Sequence, residues 1–162
     1  MKRVLILGRG ASGKSTLARH LGEIAELPVI ELDKIFWSTS LVPTSRERWI
    51  EIQRSLVEQE RWILDGDLGS YDVPEIRLKA ADTIILLDFS FIRCASRAIR
   101  RSRERADFWH WLLFYRRKFR PSLTQAIATQ APTAKCYTLR SPQQLRTFLA
   151  GVKPKPEAVT FL

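Results

Sequence analysis

Arg3-Val4-Leu5-Ile6-Leu7-Gly8-Arg9-Gly10-Ala11-Ser12-Gly13-Lys14-Ser15 is the stretch on which the reading of this chain turns. The apolar run Val4 to Leu7 has the length and branching of a core strand and breaks at once into glycines. Gly8 to Ser15 then matches G-x-x-x-x-G-K-[ST] in full, between a hydrophobic strand and a helix-forming segment. Glycines let the backbone wrap an anion with its N–H groups pointing inward, and the helix that follows turns its positive end toward the same charge. Lys14 is then placed for the β and γ phosphates of a nucleoside triphosphate, and the Ser15 hydroxyl for Mg²⁺. Gly8, Gly10, Ala11, Ser12, Gly13, Lys14, Ser15 and Thr16 are the expected phosphate-binding set. MgATP is the expected ligand.

Working outward, short apolar runs alternate with amphipathic segments of helix length, the pattern of a parallel sheet covered by helices. Five strands are expected: Arg3 to Leu7, Pro28 to Glu31, Arg61 to Leu64, Thr83 to Leu87 and Lys135 to Leu139. Helices are expected over Lys14 to Ala25 and over Thr44 to Glu60. The second opens on the capping box Thr44 and Glu47, with Trp49, Ile52 and Leu56 on one face. Ser90 to Arg105 predicts a long basic helix, and Asp107 to Arg120 a further helical piece or folded flap with Phe108, Trp109, Trp111, Phe114 and Tyr115. The last helix is marked by Ser141 as cap, Pro142 in its first turn, Gln144 completing the box and Gly151 just past its end. The Lys-Pro-Lys-Pro tail beyond it is expected to be loosely held.

A chain of 162 residues suits one domain. Its 45% apolar and 27% charged residues are those of a globular protein, and no stretch approaches the ~20 apolar residues of a membrane helix. Two cysteines, Cys94 and Cys136, are too few for a disulfide framework, which fits the cytoplasm. The net charge of +10 is concentrated. Arg93, Arg97, Arg100, Arg101, Arg103, Arg105, Arg116, Arg117, Lys118 and Arg120 face only Glu104 and Asp107 across that segment, so the rest of the chain is nearly neutral. One element therefore addresses anionic groups, either the phosphates of a small ligand or those of a polynucleotide.

A magnesium site on such a sheet needs a carboxylate at the C-terminal end of a strand. Asp33, Asp65 and Asp88 each end an apolar run and qualify, although each also suits capping a turn. Arg97 and Arg101, four apart on the predicted basic helix, emerge from one face and suit closure over a polyphosphate opposite Lys14.

Together these features resemble the adenylate kinase-like branch of P-loop kinases, which includes shikimate and gluconate kinases, and most closely the DNA topology modulation proteins (FlaR-related). The wording that carries the likeness is Gly8 to Ser15, Leu32-Asp33-Lys34-Ile35-Phe36-Trp37, Trp62-Ile63-Leu64-Asp65-Gly66-Asp67, Arg77, and Ala81-Asp82-Thr83-Ile84-Ile85-Leu86-Leu87-Asp88 followed by the arginine helix. The resemblance implies a single three-layer α/β domain over residues 1–162. Its five-stranded parallel sheet would run in order 2-3-1-4-5, with an acceptor-side helix near residues 44–60 and a helical basic lid over about residues 93–130. It also implies that Asp65 and Ser15 support magnesium, that Asp33 faces the acceptor, that Arg97 and Arg101 serve the lid, and that Arg140 with Ser141 packs on the nucleotide base. One departure stands out. Where adenylate kinases carry an arginine for a nucleoside monophosphate, this chain has Asp67-Leu68-Gly69-Ser70, with Arg77 the nearest substitute, which argues against that acceptor.

Two functions are then open. In one, a phosphotransferase moves the γ-phosphoryl of MgATP to a small acceptor held among Asp33, Phe36, Trp37, Asp65 and Arg77, as a monomer or homodimer. In the other, a nucleic-acid-associated ATPase uses Arg93 to Arg120 to track phosphates and stack bases. A lid explains most of the charge, so the first reading is preferred.

Overall fold

In the computed structural model, the described residues are 1–37, 42–68, 72–101 and 106–152, with the backbone alone at 101, 106 and 107. Five parallel strands, β1 (Arg3–Gly8), β2 (Val29–Glu31), β3 (Trp62–Asp65), β4 (Thr83–Leu87) and β5 (Lys135–Leu139), lie in the order β2-β3-β1-β4-β5. This is the expected sheet. β1 sits at its centre and is buried on both faces, which is why Val4 to Leu7 reads as an unbroken apolar run. Successive side chains point to opposite faces, and the core divides accordingly. Val4, Ile6, Ile85 and Leu87 pack on one side with Leu17, Leu21 and Cys94. Leu5, Leu7, Ile84 and Leu86 pack on the other with Phe36, Trp49, Trp62 and Leu78.

Helices cover both faces: α1 (Lys14–Ala25), α2 (Leu32–Phe36), α3 (Arg46–Glu58), α4 (Glu75–Ala80), α5 (Phe91–Arg101), α6 (Ala106–Phe114), α7 (Arg120–Gln130) and α8 (Pro142–Gly151). A π-helical turn, Tyr115–Phe119, joins α6 to α7. Among the described residues, no helix is long and apolar enough to cross a membrane.

Several expected boundaries shift, each for a visible reason. α3 opens after Ser45, whose hydroxyl accepts from the Arg48 N–H at 3.3 Å. Thr44, the expected cap, instead donates from its hydroxyl to the Phe36 carbonyl at 2.6 Å and so fastens the preceding turn. The basic helix begins at Phe91, where the Ser90 hydroxyl accepts from the Arg93 N–H at 3.4 Å. Ser141 caps α8 as expected, accepting from the Gln144 N–H at 3.2 Å, but Gly151 is the last helical residue rather than the one beyond. The short helices α2 and α4, and all of α7, carry too little amphipathic pattern to be read from sequence. Gly69, Ser70, Arg103, Glu104, Arg105 and the tail after residue 152 lie outside the described residues.

Candidate functional site

The phosphate loop is held open by backbone geometry. Gly8 takes φ 138°, and a Cβ there would run into the Leu87 carbonyl of the neighbouring strand. Gly13 takes φ 97° as the residue preceding α1, and Ala11 sits at φ 55°, a left-handed conformation uncommon for a residue with a Cβ. Alternation of left-handed and ordinary residues turns successive N–H groups toward one point, the arrangement that receives an anion. Lys14 folds across the loop, its Nζ donating to the Gly8 carbonyl at 2.9 Å and the Arg9 carbonyl at 3.4 Å.

In front of the loop lies a cavity of about 1260 Å³. It is lined by Gly10 to Thr16, by Asp33, Trp37, Asp67 and Leu68, by Arg97 and Arg100 of α5, and by Leu145 and Leu149 of α8. The size suits a nucleotide together with a small second ligand. Aromatic side chains form the roof. At Gly10 a Cβ would come within 2.5 Å of the Phe108 ring and 2.6 Å of the Trp111 ring, so α6 rests directly on the loop and only glycine allows the approach.

Asp65 ends β3 almost fully buried, near enough to Ser15 for the hydroxyl to favour its ionised carboxylate. Burial pushes the Asp65 carboxyl above the usual carboxylate range, opposed by the nearby Ser15 hydroxyl and the Lys14 charge. Among the described residues its Oδ1 has no hydrogen-bond partner. A buried carboxylate oxygen left over beside a hydroxyl at the phosphate loop fits the oxygen-rich surroundings that Mg²⁺ prefers. Asp33 opens α2 and borders the cavity. Its side chain touches solvent, yet desolvation inside the concave site raises its carboxyl; Lys14 pulls it down, while Asp65, Asp72 and Glu31 add to the rise.

Arg97 reaches the loop from α5, donating from Nη1 to the Ser12 carbonyl at 2.9 Å with its guanidinium 5.8 Å from the Phe89 ring centre. The backbone of Arg101 continues α5, and its side chain lies outside the described residues. Arg9 is buried behind the loop, 5.3 Å from the Tyr115 ring centre, donating to the Phe89 carbonyl at 3.4 Å.

Other expected site residues are placed elsewhere. Arg77 is fully buried, paired with Asp72 at 2.6 Å and hydrogen-bonded to Gln53, so its guanidinium is spent behind the wall. Phe36 is core, edge-on to Trp37 and Trp49, and only Trp37 reaches the cavity. Arg140 is exposed and extends toward Asp88, 4.0 Å away, while α8 meets the cavity through Leu145 and Leu149. Asp88 itself is the buried centre of an ion-pair cluster with Arg116 at 3.3 Å and Arg120 at 3.2 Å.

Asp67, Leu68, Trp111 and Phe119 line the cavity without having been singled out for it. A signal for the roof existed. Phe108, Trp111, Tyr115 and Phe119 recur at spacings of three and four, one helical stripe.

No protein-family model matches this chain, and no curated protein matches it significantly. Solved structures do. A shikimate kinase from Acinetobacter baumannii in complex with shikimate superposes with a TM-score of 0.65 at 18% identity, covering 93% of this chain and 89% of the other. An unliganded sugar kinase from Janibacter sp. gives a TM-score of 0.59 at 18% identity, with 93% of each chain covered. A gluconokinase from Sinorhizobium meliloti gives 0.59 at 18% identity, covering 93% and 91%. At this identity the likeness establishes the fold alone, a three-layer α/β architecture around a five-stranded parallel sheet.

Proposed function

We propose that this protein is a small-molecule kinase that transfers the γ-phosphoryl group of MgATP to a hydroxyl of an acceptor bound at the Asp33 end of the cavity. The observation that carries the reading is that Lys14, Ser15 and Asp33 line one cavity fronting the phosphate loop, with Asp65 buried within electrostatic reach of Ser15 and Lys14. The acceptor hydroxyl oxygen forms the new bond to the γ-phosphorus as the bond to the β–γ bridging oxygen breaks. ADP leaves with that electron pair, and the hydroxyl proton passes to the Asp33 carboxylate, whose raised affinity for protons suits a base. Lys14 swings from its loop carbonyls to the β and γ oxygens, and Arg97 meets the same charge from the lid. Ser15 and Asp65 would hold the magnesium ion that accompanies the triphosphate and supplies charge neutralisation at the transferring group.

The aromatic roof of Phe108 and Trp111 excludes water that would otherwise compete as acceptor. The sequence likeness to the DNA topology modulation proteins supports placing the chain nearest that group, and its two free cysteines fit a cytoplasmic setting. The test is a screen of hydroxyl-bearing metabolites for acceptor-dependent ADP release, with Lys14→Ala as control. ADP release that is equal in both proteins, or absent with every acceptor while ATP binds, would count against phosphotransfer.

A further inference from the structure

Arg9, the second residue of the phosphate loop, carries one of the largest side chains that the fold buries completely, 1% exposed. Burial that deep is costly for a guanidinium, whose donors need acceptors once water is gone. Little in the fold compensates it. Nη1 donates to the Phe89 carbonyl at a long 3.4 Å, and among the described residues Nε has no hydrogen-bond partner. The guanidinium carbon lies 5.3 Å from the Tyr115 ring centre and 6.0 Å from that of Phe91. Asp88, the carboxylate whose charge reaches it, is paired with Arg116 and Arg120. Desolvation lowers the proton affinity of Arg9, with Cys94, Asp88 and Tyr115 opposing and Arg116 adding to the fall. The same residue shapes the anion site. Its carbonyl accepts from the Ser12 N–H at 3.2 Å and from Lys14 Nζ at 3.4 Å, so it forms the turn that presents the loop. Burial pushes the Cys94 thiol of α5 up, while Arg9, Arg97 and Lys14 pull it down, so these three cations act on one neighbourhood. Gly10, the next residue, meets Trp111, whose ring stands edge-on to Tyr115 at 5.6 Å. Loop residues 9 and 10 thus rest against neighbouring rings of one aromatic stripe.

We propose, resting on Gly8 to Ser15 as the phosphate site of the reading above, that Arg9 is a positioning residue for the nucleotide. Its buried guanidinium, pinned between the Phe89 carbonyl and the Tyr115 ring, holds the first turn of the loop against the aromatic stripe and adds positive charge to the bound polyphosphate from within the protein. The anion supplies the countercharge that the fold withholds, and the low polarity of the surroundings makes that attraction stronger than it would be across water. Such a residue lowers the stability of the free protein, because an apolar side chain would fill the same space without desolvating a charge.

The test compares Arg9→Met, which keeps an unbranched side chain without the charge, and Arg9→Lys, which keeps the charge without the fork, in the full chain. Melting temperature is measured without ligand. Binding is measured by calorimetric titration with a non-hydrolysable MgATP analogue and, separately, with inorganic tripolyphosphate. Arg9→Met is expected to melt no lower than the parent yet to bind both probes about tenfold more weakly or worse. The factor should be similar for the two probes, because Arg9 serves the phosphates and not the base. Arg9→Lys should recover part of the lost affinity. Parental affinity in Arg9→Met, or Arg9→Met binding as well as Arg9→Lys, overturns the inference. So does an Arg9→Met protein that melts well below the parent or fails to fold, since Arg9 would then be a structural residue. Lys14→Ala is titrated alongside. Parental affinity in Lys14→Ala sinks the phosphate site and the phosphotransferase reading with it, whereas loss there with Arg9→Met intact sinks only the role of Arg9.

Discussion

Arg97 donates from Nη1 to the carbonyl oxygen of Ser12 at 2.9 Å, so the helix after β4 touches the phosphate loop through a group that is itself a phosphate ligand by chemistry. The exchange of that carbonyl for a phosphoryl oxygen would couple lid position to nucleotide binding. Arg97→Ala is expected to lower turnover by about 10²-fold, the usual cost of one preorganised charge partner. Arg97→Lys should not restore it, because a point charge lacks the fork. Steady-state kinetics at saturating MgATP decides, and unchanged turnover would remove Arg97 from the machinery.

Asp65→Asn should separate activity from stability. A carboxyl whose folded proton affinity is raised costs stability once the pH exceeds its unfolded value, because the unfolded chain ionises it more easily. Neutral asparagine escapes that cost, so the variant is expected to melt at a higher temperature at pH 7 than the parent, with the gap closing in acid. Mg²⁺-dependent turnover should fall steeply while nucleotide still binds. A lower melting temperature at neutral pH would show that the Asp65 charge is stabilising and the site otherwise built.

The pH profile is expected to show an acid limb that belongs to Asp33, the proposed base. With its carboxyl raised by desolvation, the ionised base is lost as pH falls through a value above the ordinary carboxylate pKa of about 4. kcat/KM for the acceptor should therefore decline on the acid side before exposed carboxylates titrate. In Asp33→Asn the residual rate should be low and lack that limb. A limb that survives the substitution assigns the base elsewhere.

Much of this was legible in the chain because each signal was local. Gly8 to Ser15 encodes the loop by its glycines, and the doubly buried β1 and β4 announce themselves as unbroken apolar runs. The surroundings of Arg77 and Arg140 were not legible because a lone arginine carries no record of its neighbours; Asp72 meets Arg77, and Asp88 comes within 4.0 Å of Arg140, only once α4 and β5 are packed. The segment from α6 to α7 resisted reading for a related reason. α7 has no pronounced apolar face, and a π turn shifts the phase between it and α6, so no single helical period spans residues 106–130.

The Asp88 cluster is expected to hold the π turn and the start of α7 against the sheet. Its carboxylate is buried while Arg116 is about half exposed, so Asp88→Asn leaves guanidiniums that water can partly recover. We expect a loss of about 1–3 kcal/mol, below that of a fully buried pair. Chemical denaturation measures it. Loss of Mg²⁺-dependent turnover with stability unchanged would instead make Asp88 the metal acid.

The concentration of positive charge predicts how the protein treats DNA. Arg116 and Arg120 are turned toward Asp88, and Arg97 and Arg100 border the cavity, so among the described residues these four do not form one continuous outward track. Duplex DNA is therefore expected to bind only in the non-specific range, with K near 10⁻⁴–10⁻⁶ M at physiological salt. MgATP should leave that binding almost unchanged, and Arg97→Ala with Arg100→Ala should likewise leave the salt slope almost unchanged while turnover collapses. A polynucleotide track makes the opposite demand. Each arginine on it neutralises a phosphate, so the double substitution would reduce the slope of log K against log salt by about two, at roughly 0.9 per contact, and spare ATP turnover. A salt titration of both proteins, with and without MgATP, separates the two. Tight, ATP-independent binding that the double variant loses would overturn the kinase reading and make the basic helix a nucleic-acid surface.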